Sequence, residues 1–303
     1  MQVDNSFRSG FVAIVGRPNV GKSTLMNSII GQKIAIMSSK AQTTRKRIET
    51  VYTCDEGQIV FLDTPGMNRS RNKLGDFMVN EITGGLSDAD VVMWIVEPED
   101  HISRGEQEIA EKLSGLKKPV ILVVNKIDSI KEEDVFKAIE VYKDAMEFAD
   151  IVPVSALKDK NRDELIKVIL RHLPEGPMYY DEETVTEETE RDICAELIRE
   201  QALQKLDKEI PHGIAVEIDS MKERPDGRIT DIEATIICER DSHKGIIIGK
   251  GGAMLKRIGT GARIEMEKLL MTKVNLKLFV KVRRDWRDNN NMLRNFGYSE
   301  KNR

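Results

Sequence analysis

The segment that most constrains this chain is Gly16-Arg17-Pro18-Asn19-Val20-Gly21-Lys22-Ser23, which fits the pattern G-x-x-x-x-G-K-[ST]. It follows the apolar run Phe11–Val15 and opens a helical pattern at Lys22–Ile30. In that context a glycine-rich loop wraps phosphate oxygens with its backbone N–H groups at a helix N-terminus. The sequence therefore predicts a phosphate-binding loop. Lys22 would lie beside the β- and γ-phosphates, Ser23 would be an oxygen ligand for Mg²⁺, and Thr24 would complete the loop.

The first half of the chain alternates short β-branched runs with helical patterns. The predicted strands are Phe11–Val15, Gln58–Leu62, Val91–Val96, Val120–Val124 and Ile151–Val154, and the predicted helices are Lys22–Ile30, Gly105–Leu113 and Glu133–Phe148. Apolar strands that alternate with helices predict an α/β domain, with a mostly parallel sheet covered by helices on both faces. Thr50–Tyr52 and the turn after it predict a hairpin that adds an antiparallel edge strand.

Two further segments supply oxygen ligands and backbone donors to the same site. Asp63-Thr64-Pro65-Gly66 follows a predicted strand, so its carboxylate can hold Mg²⁺ through a water and the Gly66 N–H can meet the γ-phosphate. Gln42-Thr43-Thr44-Arg45 lies in a polar loop, and one of its threonines can complete the magnesium shell. The sequence leaves Thr43 and Thr44 both open, and we favour Thr44. Lys22, Thr44 and Gly66 are the candidate catalytic residues.

Two segments near the ends of later strands predict which base is bound. Asn125-Lys126-Ile127-Asp128 places a carboxylate where it can accept from guanine N1–H and the 2-amino group, whereas adenine offers neither donor. Asn125 can tie this loop to the phosphate loop, and the Lys126 stem can lie along the base. Ser155-Ala156-Leu157 would bring the Ala156 N–H to guanine O6. The five segments together predict a guanine nucleotide site.

The last fifth of the chain has a different charge from the rest. From Arg240 to Arg303 there are 16 Lys and Arg against 6 Asp and Glu, although the whole chain has a net charge of −4. After His172 the sequence predicts the order helix, strand, strand, helix, helix, strand. The cluster Ile247-Ile248-Gly249-Lys250-Gly251-Gly252 joins the last two helices. Glycines between helices let a nucleic-acid backbone approach helix N-termini, so this basic segment is a candidate RNA-binding site.

Several other classes of protein are disfavoured by composition and spacing. No apolar run approaches the ~20 residues of a membrane-spanning helix, and residues 1–10 lack the pattern of a secretory signal. Cys54, Cys194 and Cys238 are far apart, and the four histidines show no ligand-like spacing, so we expect neither disulfides nor a transition-metal site.

The five nucleotide segments resemble a translation-factor-class GTPase domain, and G-R-P-N-V-G-K-S with Q-T-T-R is specifically similar to the Era family. The helix and strand order with I-I-G-K-G-G resembles the type II KH domain that this family carries. The resemblance implies hydrolysis of GTP to GDP and phosphate with Mg²⁺. It also implies binding to the 3′ end of 16S ribosomal RNA, maturation of the small ribosomal subunit, and a cytoplasmic location with peripheral contact to the inner face of the cell membrane. The expected organisation is a GTPase domain at 1–175, a linker at 176–189, a KH domain at 190–286 and a tail at 287–303.

Individual roles follow from the same resemblance. Many regulatory GTPases have a glutamine just after D-x-x-G, but this chain has Met67, so we expect slow intrinsic hydrolysis. Asn19 stands where related GTPases hold a potassium ion, which makes it a candidate potassium ligand. The candidate RNA-binding residues are Ile248, Gly249, Lys250, Gly251, Gly252, Lys256, Arg257, Lys281 and Arg283, with Lys277 and Arg284 as further phosphate contacts.

Two other functions compete with this interpretation. In one, the basic module docks on a protein or on anionic lipid head groups instead of RNA. In the other, the chain is an ATPase or nucleotide kinase that shares the phosphate loop, which Asn125–Asp128 disfavours.

Overall fold

A computed structural model describes residues 7–38, 40, 42–67, 70 and 72–298. Residues 1–6 and 299–303, at the ends of the first predicted domain and of the predicted tail, lie outside this part of the chain. The chain divides into two compact units. The first comprises Met1–Ala35, Thr44–Arg69 and Val79–Glu187, and the second comprises Ile36–Thr43, Ser70–Met78 and Glu188–Arg303.

The first unit is built on a six-stranded sheet in the order β2-β3-β1-β4-β5-β6. Only β2 runs antiparallel, against β3, which confirms the predicted hairpin. The strands are β1 (Arg8–Val15), β2 (Ile48–Cys54), β3 (Gly57–Asp63), β4 (Val91–Val96), β5 (Val120–Val124) and β6 (Asp150–Pro153). The helices are α1 (Lys22–Ile30), α2 (Lys73–Asp88), α3 (Arg104–Ser114), α4 (Glu132–Tyr142) and α5 (Arg162–His172).

The central strands have buried side chains on both faces because helices cover the sheet on each side. Every residue of β4 and β5 is buried, which explains why these strands are continuous apolar runs rather than alternating patterns. Since β1, β3, β4, β5 and β6 are parallel, their carboxyl ends meet at one edge of the sheet. The loops after these strands therefore converge there.

Helix α4 is shorter than the sequence predicted. It ends at Tyr142 instead of continuing to Phe148. The chain turns after Tyr142, and the turn lets Phe148 pack on Trp94 with ring centroids 5.9 Å apart. A straight helix would carry Phe148 away from this apolar cluster, so core packing ends the helix.

The segment predicted as a linker is bonded to the first unit over most of its length. Ser9 Oγ donates to the Pro177 carbonyl at 2.6 Å, and Gln58 Nε2 donates to the Tyr180 carbonyl at 2.9 Å. Val51 N donates to the Val185 carbonyl at 2.8 Å, and Thr186 forms an antiparallel bridge with Thr50 at the edge of β2. Residues 177–186 thus form a strap along this sheet edge, and the first unit extends to Glu187.

The second unit has the predicted order helix, strand, strand, helix, helix, strand. Its sheet has the order β7-β8-β9, with β7 antiparallel and β9 parallel to β8. The elements are α6 (Glu190–Lys205), β7 (Ala215–Glu223), β8 (Ile229–Cys238), α7 (Asp241–Ile248), α8 (Ala253–Leu270) and β9 (Lys273–Val282). Gly249, Gly251 and Gly252 all have positive φ, which only glycine adopts readily, so they make the tight turn between α7 and α8.

Part of the predicted tail is folded into this unit. A short helix α9 (Asn290–Asn295) follows Trp286, which is fully buried. Trp286 packs with Leu293, Tyr298 and the start of α2 over the sheet residues Ala215 and Ile237. We call this set the C-terminal cluster; its members are Leu74, Phe77, Met78, Ala215, Ile237, Trp286, Leu293 and Tyr298.

No helix in the described part of the chain combines the length and the hydropathy that crossing a bilayer requires.

Candidate functional site

The phosphate loop connects β1 to α1, and two of its glycines have conformations that other residues avoid. Gly16 has φ 154° and Gly21 has φ 99°. A Cβ at Gly21 would also overlap the Asn125 side chain, so glycine is required there on both grounds. Lys22 Nζ lies inside the loop and donates to the carbonyls of Gly16 at 3.2 Å and Arg17 at 2.9 Å. The ammonium group is therefore held at the centre of the loop.

Three oxygen-bearing side chains from separate segments meet beside Lys22. Ser23 Oγ donates to Asp63 Oδ2 at 2.9 Å, and Thr44 Oγ1 lies 3.2 Å from Ser23 Oγ and 3.4 Å from Asp63 Oδ2. Asp63 Oδ1 is buried and accepts no hydrogen bond from any residue that the structure describes. A carboxylate oxygen with no donor, next to two hydroxyls, is a donor set that suits a hard divalent cation.

Burial perturbs both charged groups of this cluster. Burial lowers the pKa of Lys22 to about 8, and the charge of Asp63 opposes the shift. Burial raises the pKa of Asp63 to about 6, against the opposing effects of Lys22 and of the Ser23 and Thr44 hydroxyls. Both groups are thus charged at neutral pH but poorly solvated. An anion beside Lys22 and a cation beside Asp63 would relieve this cost, so the cluster is prepared for both.

The structure separates the two candidate threonines. Thr44 is buried within the oxygen cluster, with 6% of its surface exposed. Thr43 Oγ1 instead donates to the Lys40 carbonyl at 2.6 Å. Of the two hydroxyls, only that of Thr44 lies in the cluster with Ser23 and Asp63.

The D-T-P-G segment is fixed close to the phosphate loop. Thr64 Oγ1 donates to the Ile14 carbonyl of β1 at 2.7 Å. A Cβ added to Gly66 would lie 3.1 Å from the Pro18 side chain, so the backbone here packs tightly on the phosphate loop. The Met67 side chain is partly buried against the apolar cluster around β4 and β5. It supplies packing at the position where a water-orienting glutamine would stand.

The base-recognition segments are joined by Asn125 and Asp128. Asn125 Nδ2 donates to the Val20 carbonyl at 2.9 Å, which is the predicted tie to the phosphate loop. Asn125 Oδ1 accepts from Ala156 N at 3.0 Å, so the N–H that we expected at guanine O6 is bonded within the protein. Asp128 Oδ1 accepts from Ser155 Oγ at 2.5 Å, which fixes the carboxylate at the carboxyl ends of the parallel strands.

Lys126 makes a contact that the sequence did not reveal. Its backbone is left-handed, with φ 63°, and its Nζ donates to the Asn19 carbonyl at 2.8 Å and to Glu97. Glu97 follows β4 directly, at the same sheet edge as the other loops. An acidic residue just after a buried strand is the one signal that could have indicated it.

A second site lies in the other unit, as a groove between α8 and β9. The groove has a volume of about 350 Å³. Leu255, Leu276 and Leu278 give it an apolar floor, while Lys256 and Arg263 supply charge at its rim. A Cβ on Gly259 would lie 3.2 Å from the Leu278 side chain, so a larger residue would narrow the groove. The turn at Gly249–Gly252 leads into this groove through Gly252.

The predicted RNA-binding residues do not all gather at this groove. Lys256 lines it, and Lys250 and Gly251 are exposed in the turn beside it. Lys281 lies on the opposite sheet face, because alternate residues of β9 point to opposite sides and Leu276 and Leu278 face the groove. Ile248, Gly249 and Gly252 border the turn. Arg257 is exposed on α8, and Arg283 is exposed after β9. The other two form ion pairs, Lys277 with Glu233 and Arg284 with Asp241.

The groove residues that the sequence interpretation missed share one face. Leu255, Gly259 and Arg263 recur at intervals of four residues along α8, and Leu276 and Leu278 alternate along β9. That spacing is also typical of ordinary core packing, so spacing alone does not indicate a ligand.

Comparisons with known proteins agree with this architecture. Residues 11–126 match the family model described as a 50S ribosome-binding GTPase, and residues 209–287 match the model of a KH domain. GTPase Era of Clostridioides difficile (strain 630) is 54% identical over 296 residues, covering 97% of this chain and 100% of that protein. The chain belongs to the Era GTPase family.

Solved structures of Era extend the likeness to the whole fold. One is a crystal structure of Era in complex with MgGDPNP and nucleotides 1506–1542 of 16S ribosomal RNA. It has a TM-score of 0.92 and 42% identity, and covers 97% of this chain and 100% of that one. A variant of Aquifex aeolicus Era bound to GDP and AlF₄⁻ has the same TM-score, identity and coverage. The predicted fold class, a P-loop GTPase domain followed by a KH domain, is confirmed.

Proposed function

We propose that this chain is a GTP-hydrolysing switch that binds the 3′ end of 16S ribosomal RNA and assists maturation of the small ribosomal subunit. One observation carries the proposal. The chain is similar over 97% of its length to an Era protein that was crystallised with both a magnesium-bound GTP analogue and that RNA. Its own residues form an oxygen cluster beside the phosphate loop in one unit and a groove lined partly by basic residues in the other, which supports the proposal.

In this proposal the phosphate loop binds the nucleotide through residues 16–24. Lys22 exchanges its bonds to the Gly16 and Arg17 carbonyls for the β- and γ-phosphates. The Gly66 N–H lies at the γ-phosphate, where Thr64, Pro65 and Met67 complete the segment. Positioned donors of this kind act mainly on charge that develops during phosphoryl transfer.

We assign the magnesium-binding role to Ser23, Thr44 and Asp63. Their buried oxygens and the unpartnered Asp63 Oδ1 support it. When bound, the cation would neutralise part of the charge of the nucleotide phosphates. Thr44 would join only while the third phosphate is present, so that loss of the phosphate releases the loop that precedes β2.

We assign guanine recognition to Asp128, with Asn125, Lys126, Ile127 and the segment Ser155–Leu157 around it. The Asp128 carboxylate accepts from Ser155 Oγ, which orients it and supports this role. In the proposal it also accepts from both guanine donors. The Ala156 N–H would reach guanine O6 only by sharing or leaving its bond to Asn125. Adenine offers neither of these donors, so the carboxylate would gain no bond from the base.

We expect the intrinsic rate to be slow, because Met67 cannot orient water and packs on the core instead. A potassium ion at Asn19 is one means of acceleration. The Asn19 carbonyl already accepts from Lys126, so the ion would use the side chain. Hydrolysis should then be faster in potassium than in sodium buffer, and Asn19→Ala should abolish the difference. Equal wild-type rates in the two buffers would remove this role.

For RNA, we assign the groove and the adjoining glycine turn. Apolar side chains in the groove can contact unstacked bases while Lys250, Lys256 and Arg257 meet phosphates. We infer a cytoplasmic location, because the proposed ligand is ribosomal RNA. The exposed basic residues of the second unit would also attract anionic lipid head groups, which supports peripheral contact with the inner face of the membrane.

Crosslinking in cells, followed by sequencing of the attached RNA, tests the central proposal. The wild-type chain should enrich the 3′ end of 16S ribosomal RNA, and the double variant Lys250→Asp with Gly251→Asp should lose that enrichment. Vesicle binding that survives both substitutions, without RNA enrichment by the wild type, would favour the lipid-docking alternative.

A further inference from the structure

Residues 36–38, 40, 42 and 43 precede Thr44, and bonds from one helix of their own unit hold Met37, Gln42 and Thr43. Arg199 of α6 donates through Nη1 to the Gln42 carbonyl at 3.3 Å and through Nη2 to the Thr43 carbonyl. Glu200 accepts from Met37 N at 2.7 Å, and Gln204 Nε2 donates to the Met37 carbonyl at 3.3 Å. We call the described residues 36–38, 40, 42 and 43 the held segment; these bonds to α6 lie inside the second unit.

Arg199 is unusual for a charged residue because its side chain is fully buried. Its Nε donates to Glu196 Oε1 at 2.8 Å, so the charge is compensated within the helix. The guanidinium group thus binds a carboxylate on one side and two main-chain carbonyls on the other. A planar group with several fixed donors can do this, whereas a lysine can satisfy fewer of these partners at once.

The same helix contacts the wall of the RNA groove. A Cβ on Gly261 of α8 would overlap Gln201 Oε1 and would lie 2.9 Å from Lys205 Nζ, so α6 and α8 pack closely there. Gly259 and Thr260, the two residues before Gly261, line the groove. Helix α6 therefore has the held segment on one side and the groove helix on another, all within the second unit.

The held segment ends one peptide bond before Thr44. Thr44 belongs to the first unit, where it contacts Ser23 and Asp63. Moving the Thr43 carbonyl therefore moves the hydroxyl that would bind magnesium. The strap at 177–186 is bonded to β1, β3 and β2 of the first unit and does not contact the held segment through any of these bonds.

We propose that Arg199 is a positioning residue that links the magnesium threonine to the RNA groove. The proposal rests on the nucleotide and RNA roles proposed above. Arg199 fixes the Thr43 carbonyl. It thereby determines whether the Thr44 hydroxyl can bind magnesium when GTP is bound. Since linkage is reciprocal, RNA in the groove then favours the same arrangement.

The test compares RNA affinity with GDPNP and with GDP bound, using nucleotides 1506–1542 as the probe. The wild type should show at least a fivefold ratio, the lower end of typical coupling. Arg199→Lys keeps the buried charge but cannot donate to both the Gln42 and Thr43 carbonyls. The ratio of the two RNA affinities should therefore fall to within twofold of one. Nucleotide affinity, and RNA affinity without nucleotide, should change less than twofold.

Two further variants keep the result interpretable. Arg191→Lys makes the same substitution on the same helix, but Arg191 donates to the Ile218 carbonyl, so the ratio should remain wild-type. If Arg199→Lys does not fold, the exposed Gln204→Ala, which loses the Met37 contact and a bond from Gln201 Nε2 at 3.4 Å, should still lower the ratio measurably.

An unchanged ratio in folded Arg199→Lys, or in Gln204→Ala where Arg199→Lys is unfolded, would overturn the proposal. So would a wild-type ratio of one. Failure of the proposed function would differ from all of these results, because GTP or RNA would not bind at all.

Discussion

The oxygen cluster beside the phosphate loop and the groove between α8 and β9 differ in how far their polar side chains are exposed. Lys22, Thr44 and Asp63 are buried, with 0–7% of their surface accessible, and each contacts another group of the site. Lys256 is exposed where it lines an open groove, and Lys250 is exposed in the turn beside it. Buried partners must match in geometry or lose much of their interaction, whereas exposed charges add small, salt-screened increments. Single substitutions should therefore lower ligand affinity or hydrolysis rate strongly at the first site, and should lower RNA affinity by small steps at the second.

The largest expected effect is at Asp128. Asp128→Asn replaces an acceptor-only group with an amide, which mismatches guanine and suits a base with a second carbonyl. We expect GTP affinity to fall by roughly 10³-fold or more, with preference moving to xanthosine triphosphate. Calorimetry with both nucleotides measures this. Asp159→Asn, at a carboxylate that accepts from Ser28 Oγ, is the matched control and should leave GTP affinity unchanged. Unaltered GTP binding by Asp128→Asn would refute the base contact.

The next effect distinguishes the two adjacent threonines. Thr44→Ala removes one oxygen from the cluster with Ser23 and Asp63, so GTP hydrolysis should fall roughly 10²-fold, as when one preorganised electrostatic contact is lost. GDP affinity should stay near wild type, because Thr44 acts only with the third phosphate. Single-turnover hydrolysis over a range of Mg²⁺ concentrations measures the effect. Thr43→Ala is the control, and a larger loss there would reverse the assignment.

In the groove, the double change Lys250→Asp with Gly251→Asp should weaken RNA binding about tenfold or more at moderate salt. It reverses charge where the phosphate backbone is expected to lie. GTP affinity should not change. Fluorescence anisotropy with labelled 3′-end RNA measures this, and Lys167→Asp, on α5 of the first unit, controls for two of the three units by which the double change lowers the net charge. Equal RNA affinities in the double variant and the wild type would exclude the glycine turn from the interface.

The smallest effect separates two lysines of the same unit. Lys256→Ala should weaken RNA binding only a few-fold, but should reduce the slope of log affinity against log salt by about 0.7, the value for one phosphate contact in a single strand. Lys277→Ala should change the slope less, because Lys277 pairs with Glu233 at 3.0 Å on the other sheet face. A larger slope change for Lys277→Ala would place the RNA on that face.

The same contrast explains what the sequence could predict. The nucleotide segments were recognisable because their chemistry demands particular residues: a glycine where φ is positive, a lysine, a hydroxyl, a carboxylate. Each also follows a strand of one sheet, so the topology that brings them together could be inferred from the chain order. Gly21 illustrates this, since its conformation and its contact with Asn125 both require the residue that the pattern contains.

Contacts set only by the fold were not predictable. Glu97, which binds Lys126, and Arg199, which binds the held segment, are ordinary charged residues whose partners are remote in sequence. The strap at 177–186 lies in the predicted linker, because its bonds to Ser9 and Gln58 use backbone groups of the strap, which carry no sequence signal. The groove leucines carry no chemical signature, since any apolar residue of similar size would serve for packing.

The C-terminal cluster limits how this protein can be dissected. Trp286, Leu293 and Tyr298 are covered partly by Leu74, Phe77 and Met78, which lie more than 200 residues earlier in the chain. A recombinant fragment that began at α6 would retain every groove residue yet uncover this aromatic surface, and should aggregate more readily than the full chain. Genetic complementation with the two halves supplied as separate polypeptides should therefore fail, even if each half kept its own ligand.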